Sequence, residues 1–115
     1  MIQRQGTTVR WSDSTCHNGV VYLVEVPSIE TGDITEQTIS LLSSLDAVLR
    51  NAGTDKSCVL QTTIYLTDMA DYDGFNAVWD AWLPEGCAPS RACIEVKGLA
   101  KKGWRVELVV IAAKA

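Results

Sequence analysis

The stretch Val106–Ala112 constrains this chain more than any other. Val106, Leu108 and Val110 take one strand parity, Val109 and Ile111 the other, and only Glu107 interrupts the run. A strand apolar on both parities is buried on both faces. Only two segments read as helices able to cover it. Asp33 with Glu36 forms a capping-box pattern, after which Ile34, Thr38, Leu41, Leu42, Leu45, Val48 and Leu49 recur at helical spacing until Ala52-Gly53. A second helix starts after Asp71 and runs to about Leu83, with Phe75, Val78, Trp79 and Trp82 as its apolar stripe and Pro84 and Gly86 beyond it. Two helices cover one sheet face. The other face then needs a partner, which predicts a homo-oligomer.

Strands fill the remainder. One is expected at Thr7–Trp11 and a second near Ser14–His17, turning at Asn18-Gly19. Val20–Val26 reads as a buried strand ended by Pro27. Ser57–Leu66 reads as a strand with Cys58, Leu60, Ile64 and Leu66 on one face. Arg91–Lys97 and Trp104–Ala112 are expected to close the chain as a hairpin across Gly98–Gly103. The fold class is α+β, a mixed sheet with both helices packed on one face, in one domain over residues 1–115.

Several classes of function fall away. The net charge is −4 and only Lys101-Lys102 are adjacent cations, so nucleic acid is not an expected partner. No stretch is long and apolar enough for a membrane, and Met1–Arg10 has no apolar leader core, which points to the cytoplasm. The four cysteines, Cys16, Cys58, Cys87 and Cys93, include no C-x-x-C pair, and His17 is the only histidine. No metal site is expected from that set. His17 beside Asn18-Gly19 reads as an ordinary turn-flanking residue. Phosphate-binding glycine loops and H-E-x-x-H are absent.

Two charged residues stand in apolar strands. Alternation groups Arg91, Cys93 and Glu95 on one face and Ala92, Ile94 and Val96 on the other. The second set resembles a helix-packing face, so Arg91 is expected on the face a partner covers. A guanidinium there needs an anion, either a carboxylate such as Glu95 or a ligand. Glu107 shares the parity of Val109 and Ile111, and in apolar surroundings serves either as an ion-pair partner or as a proton-transfer group. With a simple hairpin, Glu107 lies opposite Glu95 and roughly 13 Å from Arg91 along the strands.

Asn76-Ala77, Pro89-Ser90-Arg91-Ala92-Cys93-Ile94-Glu95-Val96 and Val106-Glu107-Leu108-Val109-Val110-Ile111-Ala112 resemble the Rid family (reactive intermediate deaminases, also called YjgF-like). Arg10-Trp11-Ser12-Asp13 matches its shorter branch. The resemblance implies a chorismate-mutase-like homotrimer with sites in clefts between subunits. It implies hydrolysis of 2-imino or enamino acids to 2-keto acids and ammonia, with no metal or organic cofactor. The alternative is a non-catalytic trimer binding a small carboxylate. Carried over, Arg91 grips the substrate carboxylate, Glu107 positions or activates water, Cys93 and Asn76 line the pocket, and Trp11 replaces a pocket tyrosine. Without the resemblance, Asn76 is a polar helix position and Trp11 a core residue. One stretch departs from the family pattern. Leu23-Val24-Glu25-Val26-Pro27 stands where many members have Ser-Gly, so Val24 and Glu25 crowd the pocket and Glu25 opposes an anionic substrate.

Overall fold

The Asp33 carboxylate accepts the Glu36 N–H at 2.9 Å, and the Glu36 side chain accepts the Asp33 N–H at 3.3 Å, so the capping box forms and starts α1, Ile34–Asn51. The helix stops at Gly53, whose φ of +81° lets Thr54 N–H turn back onto Leu49 O at 3.0 Å. The second helix, α2, spans Tyr72–Trp82. The computed structural model describes all residues, Met1–Ala115.

Six strands complete the chain: β1 Gln3–Gln5, β2 Ser14–His17, β3 Val20–Glu25, β4 Val59–Leu66, β5 Ser90–Glu95 and β6 Val106–Ala113. They form one sheet in the order β1-β2-β3-β6-β4-β5, antiparallel except for the parallel pair β4 and β5. Asn18 (φ +53°) and Gly19 (φ +76°) make the tight turn between β2 and β3.

The expected hairpin of β5 with β6 does not form. β6 lies between β3 and β4, while β5 pairs on the far side of β4. The physical reason is the apolarity of β6 on both parities, which favours a central position. β5 exposes Ser90, Ala92, Ile94 and Glu95 and takes the edge. Its parallel pairing uses α2 as the crossover. The register of Glu107 opposite Glu95 is therefore replaced by Glu107 opposite Tyr65.

Three smaller expectations also change. The first strand is Gln3–Gln5 and not Thr7–Trp11, because the Thr8 hydroxyl accepts the N–H groups of Arg10 and Trp11, both at 3.1 Å, and turns that segment. A bulge between Val59 and Gln61 leaves Leu60 exposed and puts Val59, Thr62, Ile64 and Leu66 inward. In β3 only Val21 and Leu23 are buried, and Tyr22 and Val24 are exposed.

Both helices pack on one face. Leu41, Leu45 and Leu49 of α1 and Phe75 and Trp79 of α2 join Val21, Leu23, Ile64, Leu66, Val106, Leu108 and Val110 in one core. The opposite face is bare. Tyr22, Val24 and Ile94 are each about half exposed there, at 46%, 51% and 45%, beside Val109 and Ile111. The expected uncovered apolar face is present.

Candidate functional site

Arg91 sits on edge strand β5, in register with the fully buried Thr62 of β4. It therefore shares the helix-covered face, contrary to the parity reading above, and Ala92 and Ile94 point to the bare face. The reason lies in α2. Tyr72, Phe75, Asn76 and Trp79 follow one another at helical spacing, and their side of the helix accommodates a guanidinium. Arg91 Nη2 donates to Asn76 Oδ1 at 2.7 Å and to the Tyr72 hydroxyl at 3.3 Å. The guanidinium carbon lies 5.8 Å from the ring centres of Tyr72 and Trp79 and 5.9 Å from that of Phe75.

No carboxylate lies within ion-pair distance of Arg91; the protein's ion pairs are Arg105 with Asp71 and Lys101 with Glu30. The Glu95 carboxylate instead accepts the Met69 N–H at 2.9 Å. Neutral acceptors and aromatic faces thus hold a full positive charge without neutralising it. Cys93 stands two residues along, in a shallow hollow with Met69 and Tyr72. Burial pushes its thiol pKa up against the opposing pull of Arg91, which keeps the sulfur protonated and unsuited to nucleophilic attack.

A second group gathers elsewhere. Trp11, Val24, Glu25 and Glu107 line one cavity of about 480 Å³, together with Asp13 and Trp104. Glu107 lies on the bare face, between buried Val106 and Leu108. Burial alone pushes its carboxyl above the usual carboxylate range. Glu25 is also raised, first by burial and then by Asp13, against the Val26 N–H, which donates to its Oε1 at 3.2 Å.

Gln37 of α1 fixes one wall of this cavity. It is fully buried, its Nε2 donates to Gly103 O at 2.8 Å and Thr31 O at 3.3 Å, and its Oε1 accepts the Arg105 N–H at 2.8 Å. These bonds hold the approach to β6, and so Trp104. Residue 103 must be glycine for this close approach, since a Cβ there would lie 1.9 Å from Glu30 O. Arg105 then binds the Asp71 carboxylate at 2.8 and 3.1 Å, tying the start of β6 to the start of α2.

The sequence-derived residues thus fall into two clusters. Arg91, Asn76 and Cys93 lie together at the sheet edge; Trp11, Val24, Glu25 and Glu107 lie together around the cavity. Arg91 and Glu107 face opposite sides of the sheet, with β4 between them: Thr62 pairs with Arg91, and Tyr65 with Glu107. Two strand spacings and three residues separate their backbones by roughly 14 Å. Sequence reasoning missed Tyr72, Asp13 and Trp104. The stripe Tyr72, Phe75, Asn76, Trp79 carried the signal for the first; nothing local marked the other two as cavity residues.

The family model described as Endoribonuclease L-PSP matches residues 1–114. A RutC family protein of Haemophilus ducreyi is 43% identical over 114 residues, 98% of this chain and 97% of that protein. RutC family protein YoaB of Escherichia coli is 39% identical over 112 residues, 97% of each chain. A member of the YjgF protein family from Neisseria meningitidis has the same fold, with a TM-score of 0.94 at 44% identity, covering 100% of this chain and 96% of that one. With matches that run nearly end to end in sequence and in structure, the chain belongs to the L-PSP family, whose members also carry the names RutC, YjgF and Rid.

Proposed function

We propose that the protein hydrolyses 2-imino or enamino acids to 2-keto acids and ammonia, in a cleft between copies of the chain. The observation that carries this reading is Arg91: an arginine held in place by Asn76, Tyr72 and aromatic faces, with no carboxylate partner. Such a guanidinium is preorganised for a ligand carboxylate. Glu107 in its cavity supports the second half, a partly desolvated carboxylate able to take a proton from water.

The reaction balances without a metal or organic cofactor. Water oxygen bonds to C2 of the protonated imine, and Glu107 accepts the water proton. Glu107 returns that proton to the nitrogen of the C2 adduct, the C2–N bond breaks to release ammonia, and the hydroxyl proton is lost to solvent as the keto group forms. Arg91 holds the carboxylate and orients C2 throughout. One chain cannot place both groups on a small molecule, because they face opposite sides of its sheet. A neighbouring copy, seated on the bare apolar face, supplies the other half, and a homotrimer closes this arrangement with three such clefts.

A second reading is a non-catalytic trimer that binds a small carboxylate. The specific observation in its favour is Val24 and Glu25 in the cavity lining, where bulk and negative charge oppose a small anion. A nuclease role, by contrast, meets a cavity lined by Asp13, Glu25 and Glu107 and no cation, which repels a phosphodiester.

Generating 2-iminobutanoate in situ and following its decay tests the proposal. The protein is expected to accelerate decay well above the spontaneous rate. No acceleration for this or for longer imino acids, with keto acids still binding, would establish the non-catalytic reading instead.

A further inference from the structure

The proposed reaction uses Arg91 as the carboxylate anchor, yet one arm of its guanidinium is already occupied. Nη2 carries two hydrogens and meets two acceptors, Asn76 Oδ1 at 2.7 Å and the Tyr72 hydroxyl at 3.3 Å. Nε and Nη1 make no hydrogen bond within the chain. A guanidinium grips a carboxylate with two parallel N–H groups, and Nη2 is one prong of either such fork. A ligand carboxylate on the free nitrogens therefore has one oxygen satisfied by Arg91 and a second oxygen without its usual donor.

Tyr72 has a donor to spare. Its hydroxyl accepts from Arg91 and makes no other hydrogen bond in the chain, so its own proton is free. The residue is 39% exposed and lines the shallow hollow with Met69 and Cys93, so it borders both the guanidinium and open surface. Its place is fixed from the residues before it. Arg105 binds the Asp71 carboxylate at 2.8 and 3.1 Å, and the Glu95 carboxylate accepts the Met69 N–H at 2.9 Å. The ring contact with Arg91 does not require the oxygen, because Phe75 makes a like contact, at 5.9 Å, without one.

We propose that the Tyr72 hydroxyl is a second carboxylate donor of the site, giving its proton to one ligand oxygen while Arg91 holds the other. This inference rests on the reading of Arg91 as the ligand anchor, and it adds to that reading a residue that touches the substrate. Two donors from different elements, α2 and β5, then hold the carboxylate at both oxygens, which the free nitrogens of Arg91 alone do not.

The test titrates 2-oxobutanoate, a stable keto acid, into wild type and Tyr72→Phe. The variant keeps the ring beside Arg91 and loses only the hydroxyl. Its Kd is expected to rise about ten-fold, the low end of one hydrogen bond to a charged group. With 2-iminobutanoate, KM is expected to rise by a similar factor and kcat to fall less. The Arg91 Nε–H resonance of the ligand-free protein, followed by NMR, is expected to stay near its wild-type position, because Asn76 still holds the guanidinium. An unchanged Kd would overturn the proposal, and continued hydrolysis of the imine would leave the deaminase reading intact. A raised Kd with a displaced Arg91 resonance in the ligand-free variant would also overturn it, since the hydroxyl would then prop the arginine and not the ligand. Weaker keto-acid binding with the resonance in place, and no hydrolysis of any imine by wild type, would sink the deaminase reading and uphold the second donor.

Discussion

Arg91→Ala is expected to lower kcat/KM for 2-imino acids by about two to three orders of magnitude, as loss of one partner of a desolvated charge pair does. The substitution removes the only guanidinium that Tyr72, Asn76 and the aromatic faces of α2 hold in place. Arg91→Lys keeps the charge and loses the planar fork, so it should recover a small part of the activity. Because Arg91 also packs over Phe75 and Trp79, steady-state rates need a companion measurement. Sedimentation of each variant should show the wild-type assembly. Wild-type kcat/KM in Arg91→Ala would remove the arginine from the chemistry.

Glu107→Gln carries the second large effect, a loss in kcat of about 10²–10⁴-fold, the range of a general base. Keto-acid binding should remain close to wild type, because the carboxylate anchor is untouched. The pH dependence has a definite sign. Burial raises the Glu107 carboxyl above its ordinary value, so the active anion forms only at higher pH. In wild type kcat/KM therefore rises with pH through that raised value, and in Glu107→Gln this acid limb disappears. Stability runs the other way. The folded state binds the Glu107 proton more tightly than the unfolded chain, so its contribution is full below the unfolded pKa and is lost as pH rises through the folded one. An unchanged acid limb in the variant would assign it to another group.

The two inactive variants also test each other. If one cleft draws Arg91 from one copy and Glu107 from the next, mixed assemblies of Arg91→Ala with Glu107→Gln contain intact clefts. Refolding the two together in equal amounts should restore about a quarter of wild-type activity, the random share of clefts with both groups present. No recovery from mixtures shown to exchange subunits would argue that each site lies within one chain.

Much of the fold was legible because it is local. The capping box at Asp33 and Glu36, the stop at Gly53, the stripe from Phe75 to Trp82 and the Asn18-Gly19 turn each rest on residues a few positions apart. Strand partners were not legible in that way. Gly98–Gly103 looks like a hairpin loop, yet neighbours in the sheet are decided by competition for the centre, which β6 wins through apolarity on both parities. The side on which Arg91 stands follows from the same lesson. Ala92 and Ile94 read as the buried parity, but α2 presents Tyr72 and Asn76 to the edge strand, and the arginine answers to those. The residue types of the site were visible in the sequence; their division between two sides of the sheet was not.

That division affects how such a protein is free to change. The arginine end is built by α2 and β5, and the carboxylate end by the β2 approach, β3 and the Gln37-held entry to β6. Residues 24 and 25 lie at the end of β3, apart from the α2 side chains that hold Arg91. In the proposed cleft, substitutions at residues 24 and 25 are therefore expected to change which ligands are accepted while leaving the contacts of Arg91 in place. If the proposed cleft holds, such a scaffold is a lock whose bit and bow are cut separately, with new specificities reached by editing one end while the other stays in register.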